Sequence, residues 1–95
     1  VSVAVSYADV LNNNVEVRAF IPGLIEGSGT CTATLKQGDL TVQASSKAFV
    51  DASSSQCEPI YIPVTKFPAK GKWMLTITYK SSTHSGASET MELTL

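Results

Sequence analysis

Apolar residues recur at every second position along most of the chain. Val1, Val3, Val5 and Tyr7 share one parity, with Ser2 and Ser6 between them. Val15, Val17, Ala19 and Ile21 form a second stripe, opposed by Asn14, Glu16 and Arg18. Cys31, Ala33 and Leu35 alternate with Thr32, Thr34 and Lys36, and Leu40, Val42 and Ala44 with Thr41, Gln43 and Ser45. Ile60, Ile62 and Val64 make a fifth stripe. Trp73, Leu75, Ile77 and Tyr79 face away from Met74, Thr76 and Thr78, and Met91, Leu93 and Leu95 oppose Thr90, Glu92 and Thr94. A period of two with one apolar and one polar side marks half-buried strands. The pattern predicts strands over residues 1–8, 14–21, 30–37, 40–48, 58–65, 72–80 and 88–95.

The intervening residues are turn formers. Asn12-Asn13-Asn14 is a turn cluster, and Pro22-Gly23 opens a loop that runs through Gly27-Ser28-Gly29. Gln37-Gly38-Asp39 and Pro68-Ala69-Lys70-Gly71 predict tight hairpins, while 52–56 and 81–86 predict polar loops. No segment has a capped helical period, so helix should be nearly absent. Without an internal repeat or a dividing linker, residues 1–95 form one domain. Seven short strands in about a hundred residues imply an all-β, antiparallel two-sheet sandwich. The fourth strand suits the edge of either sheet.

The segment Gly71-Lys72-Trp73-Met74-Leu75-Thr76-Ile77-Thr78-Tyr79 resembles the penultimate strand of bacterial surface immunoglobulin-like modules. As in those modules, a Ser/Gly-rich loop and a final alternating strand follow. Over its whole length the layout is similar to the immunoglobulin and fibronectin type III superfold. That resemblance implies a non-catalytic structural or adhesive module of a secreted or cell-surface protein, serving spacing or protein interaction among neighbouring domains. The chain departs from antibody-type domains in three ways: its cysteines lie outside the second and sixth strands, Trp73 begins the sixth strand, and Tyr79 ends it.

Composition narrows the function classes. The chain is 43% hydrophobic and 16% charged, the latter below the roughly 25% of ordinary soluble domains; serine and threonine fill the exposed positions instead. Net charge is −1 and the basic residues are scattered, which excludes the concentrated cationic surface that nucleic acid requires. The cluster Lys66, Lys70 and Lys72 reads as a solvated turn. No apolar run reaches the ~18 residues of a membrane span, so no membrane insertion is expected. Residues 1–8 alternate rather than form a signal peptide, which places any targeting signal upstream.

Cys31 and Cys57 lack a metal-ligand spacing and are either two buried thiols or a disulfide. A small, hydroxyl-rich β-domain favours the disulfide, and hence an oxidising compartment. Both cysteines are expected to begin strands at one pole.

Candidate chemistry is sparse. His84 sits in the loop before the last strand, with Asp51 and Ser53–Ser55 expected at the same pole. A catalytic triad needs a rigidly held nucleophile and an oxyanion site, which Ser-rich loops do not supply, so no enzyme is expected. Asp9 and Asn12–Asn14 could offer oxygens to calcium, but the spaced acidic ligands of a calcium loop are absent and turn closure accounts for them. Gly23, Gly27 and Gly29 precede no helix that would bind phosphate. No metal or cofactor is expected. Trp73 has core parity, whereas Tyr61 opposes Ile60 and Ile62 and should be exposed, which makes a carbohydrate-binding module the alternative function. A protein or glycan partner would meet the loops at one pole through Glu26, Ser28, Asp51, Ser54 and His84.

Overall fold

A computed structural model describes residues 1–95. It contains nine strands: β1 (Ala4–Leu11), β2 (Asn14–Pro22), β3 (Thr30–Gln37), β4 (Leu40–Asp51), β5 (Ser54–Cys57), β6 (Ile60–Pro63), β7 (Lys72–Lys80), β8 (Ser85–Ala87) and β9 (Met91–Thr94). The only helical element is a 3-10 turn, Val64–Lys66. The pairing order is β1-β2-β5-β4-β3-β7-β8, with β6 also on β2 and β9 also on β7, all antiparallel. The pairings run on without a break and curl into a half-barrel.

The alternating stripes supply the inner face. Val15, Val17, Ala19 and Ile21 of β2, Cys31, Ala33 and Leu35 of β3, and Trp73, Leu75, Ile77 and Tyr79 of β7 all belong to one buried cluster. Trp73 is fully buried; its indole N–H donates to Ala69 O at 3.2 Å and its ring meets Phe67 edge-on at 5.1 Å. The mixed apolar body and polar tip of tryptophan are thus both satisfied.

Strand β4 resolves the ambiguity of the fourth strand by taking both positions. Its first part, Leu40–Lys47, pairs with β3, and its last part, Ala48–Asp51, pairs with β5. Cys31 lies opposite Ser46 and Cys57 opposite Ala48. Their disulfide, with Cα atoms 5.9 Å apart, therefore spans the corner at which β4 leaves one neighbour for the other. Backbone bonds close the same corner: Ala48 N–H donates to Gly29 O at 2.9 Å, and Glu58 N–H to Lys47 O at 3.0 Å.

Several expectations need correction, most of them through single inserted residues. In β1, Val5 faces Ala19 and Tyr7 faces Arg18, so Ser6 is an extra residue. A bulge reverses the parity of everything after it; Ala8 and Val10 pack against the core and Tyr7 turns outward. The expected loop 52–56 is a turn, Ala52-Ser53, followed by β5. Cys57 accordingly ends a strand rather than beginning one. From Gln56 to Ile60 takes four steps while their partners Phe20 and Val17 are three apart, so β5 and β6 are one strand broken by a bulge at Glu58-Pro59. The same accident divides the last strand into β8 and β9, where Ser88 Oγ accepts the Ile77 N–H at 2.9 Å in place of a ladder bond. Residues 68–71 form no hairpin, because β6 and β7 have different partners.

Candidate functional site

The loop pole is built around Glu26. Tyr79 of β7 extends its hydroxyl to Glu26 Oε1, and Thr83 Oγ1 donates to Oε2 at 2.7 Å. His84 Nδ1 lies 3.1 Å from the same Oε2. These contacts tie the β2–β3 loop to the β7–β8 turn. The hydroxyls of Ser81, Tyr79 and Thr83 hold the Glu26 carboxyl at a pKa of about 2, because each stabilises the ionised form. Burial, reinforced by that carboxylate, pushes the Tyr79 hydroxyl above its ordinary value. Gly29 lies beneath the Tyr79 ring, which a methyl group there would overlap.

Ser55 ties in the third loop. Its fully buried hydroxyl lies 2.8 Å from Leu24 O and 2.9 Å from Glu26 O, and accepts the Glu26 N–H at 2.9 Å. Of the five residues predicted for this pole, Glu26 and His84 are thus in direct contact. Asp51 and Ser54 share the β4–β5 turn, where Ser54 Oγ donates to Asp51 O at 3.4 Å, and Ser28 is exposed. The imidazole bonds to Glu26 and Thr83, and Ser55 is occupied in joining loops. At the opposite end, Asn12 and Asn13 both take positive φ and close the β1–β2 hairpin, as expected of a two-residue turn. Asp9 Oδ1 accepts the Val10 N–H at 2.8 Å.

A second region lies on the outer face of β1, β2, β5 and β6. Register places Tyr7 beside Arg18, Glu16 beside Tyr61, and Phe20, Gln56 and Phe49 in one row across three strands. Tyr61 is 54% exposed, Phe49 40% and Tyr7 38%. Between the tyrosines, Arg18 Nε donates to Glu16 Oε2 at 2.8 Å. The Arg18 side chain is half exposed while that of Glu16 is largely covered. Glu16 first, and Tyr61 to a smaller extent, raise the Arg18 pKa further. Of these residues, only Tyr61 is singled out by its parity. Arg18 and Glu16 sit on an ordinary polar face, and Tyr7 shows its outward direction only once the Ser6 bulge is known.

No helix is long and apolar enough to cross a membrane. Neither a protein-family model, nor a curated protein, nor a solved structure matches the chain.

Proposed function

We propose that this domain is a non-catalytic spacing and interaction module of immunoglobulin-like sandwich type, working in an oxidising compartment as part of a secreted or cell-surface protein. One observation carries the reading: residues 1 and 95 lie at opposite ends of β7. The Val1 ammonium donates to Ser85 O at 3.0 Å, beside the last residue of β7, while Leu95 and Gly71 exchange both backbone bonds before its first. A polypeptide entering at Val1 and leaving at Leu95 crosses the domain along its strands, about 27 Å over the eight steps of β7. Such a path lets domains follow one another in line. The β4 switch supports the sandwich, since a strand that changes neighbours is how two packed layers share an edge. The disulfide at that switch supports the oxidising compartment.

Two copies joined from Leu95 to Val1 test the spacing role by small-angle X-ray scattering. An elongated particle is expected, longer than one copy by at least the length of β7. A compact side-by-side pair would refute it.

A further inference from the structure

Four of the seven aromatic residues, Tyr7, Phe20, Phe49 and Tyr61, have no place in the buried cluster, and all four occupy the outer face of β1, β2, β5, β6 and the end of β4. Tyr7 reaches that face through the Ser6 bulge, which gives up regular pairing and re-aims an aromatic ring toward solvent. Tyr7 and Tyr61 flank β2 on either side, two strand spacings across and two residues along, or about 12 Å apart. The ion pair between them is preorganised by its 2.8 Å bond.

We propose that this face binds an uncharged, extended oligosaccharide, with sugar rings lying on Tyr7 and Tyr61 and ring hydroxyls bonding to Arg18 and Glu16. The inference stands apart from the spacing role and rests on different residues. Three features select the ligand. Tyrosine rings present a flat apolar surface matched by the C–H side of a pyranose, with little rotamer entropy to lose. Arg18 and Glu16 cancel in charge and the exposed Asp9, opposite Glu16, adds a carboxylate, so an anionic sugar is repelled where a neutral one is not. A hydroxyl can accept from the terminal guanidinium amino groups and donate to the carboxylate. Finally, polar side chains stand between the rings, Arg18 and Glu16 between Tyr7 and Tyr61 and Gln56 between Phe20 and Phe49, rather than leaving one contiguous apolar patch. A protein interface would centre on a desolvated cluster of the latter kind; a sugar chain alternates apolar faces with hydroxyls, as this face does.

The 95-residue protein titrated with cellohexaose, chitohexaose or mannohexaose, and with a heparin-derived hexasaccharide for contrast, provides the test by NMR. At least one neutral hexasaccharide is expected to bind at millimolar concentration or below, shifting resonances of Tyr7, Glu16, Arg18 and Tyr61. Tyr61→Ala and Tyr7→Ala should each weaken binding about ten-fold, the loss of one ring contact, while the Trp73 indole resonance stays in place and reports an intact core. Thr34→Ala, on the other outer face, should leave affinity unchanged. The proposal is overturned if no neutral hexasaccharide binds, if only the sulfated one does, if neither tyrosine matters, or if the shifts map to the Glu26 pole.

Discussion

The two outer faces of this domain come from the same alternating pattern and carry opposite chemistry. On β3, β4, β7 and β9 the outward residues are mostly hydroxyls and amides that bond one another. Thr32 and Ser45 oxygens lie 3.0 Å apart, Gln43 Nε2 donates to Thr34 Oγ1 at 3.1 Å, and Thr76 and Thr90 meet at 3.0 Å. On β1, β2, β5, β6 and the end of β4, four aromatic rings stand outward around one ion pair. A face whose polar groups satisfy each other has little left to offer a ligand. Exposed rings are different: water gains nothing from them, and the core does not use them. The contrast teaches that strand alternation fixes only which side is inside. What the outside does depends on whether its groups find partners within the protein.

Both faces share one interior, so the largest predicted effect ignores the difference between them. Trp73→Ala should cost about 3–5 kcal/mol, by cavity formation and loss of the Ala69 hydrogen bond. Chemical denaturation should still show one transition in the variant. Two separate transitions would mean that the parts of the sheet under the two faces are independent. Next comes the corner that joins them. Reducing Cys31–Cys57, which closes a sequence separation of 26 residues, should lower stability by about 3.5 kcal/mol through loop-closure entropy. Thermal unfolding with and without reductant measures it, and an unchanged midpoint would show that the β4 switch needs no covalent tie.

The loop pole joins the two parts of the sheet a second time, through Glu26, and this tie depends on pH. The Glu26 carboxyl titrates at about 2 in the folded protein, below its ordinary value of 4.5. A depressed carboxylate stabilises the fold above the ordinary value, and that stabilisation is lost as pH falls from about 4.5 through about 2. Glu26→Gln should therefore remove part of the acid sensitivity in that window. Parallel acid unfolding curves for both proteins would place the sensitivity elsewhere. The smallest effects distinguish the outer faces themselves. Thr34→Ala and Tyr61→Ala should each change stability by less than about 1 kcal/mol, as exposed strand positions do. A much larger loss for Tyr61→Ala in denaturant titration would make that ring structural and would erase the contrast between the faces.

Alternation alone determined the class, the inner residues of β2, β3 and β7, and the boundaries of β3 and β7, because in those strands no residue is inserted and parity holds from end to end. It also separated Trp73 from Tyr61. The pairing of the only two cysteines was legible for a different reason, the small size of the domain. Bulges were not legible. Ser6, the Glu58-Pro59 break and the Ser88–Thr90 break each shift register by one, and a one-residue shift exchanges inside for outside without altering composition. That is why Tyr7 reads as core in the sequence and stands on the surface in the fold. The double pairing of β4 and the gathering of Tyr79, Thr83 and His84 around Glu26 were equally beyond the sequence. The Glu26 contacts join residues more than fifty positions apart, and β4 divides itself between two neighbours at once; both are decided by the packing of the whole chain, not by any local preference within it.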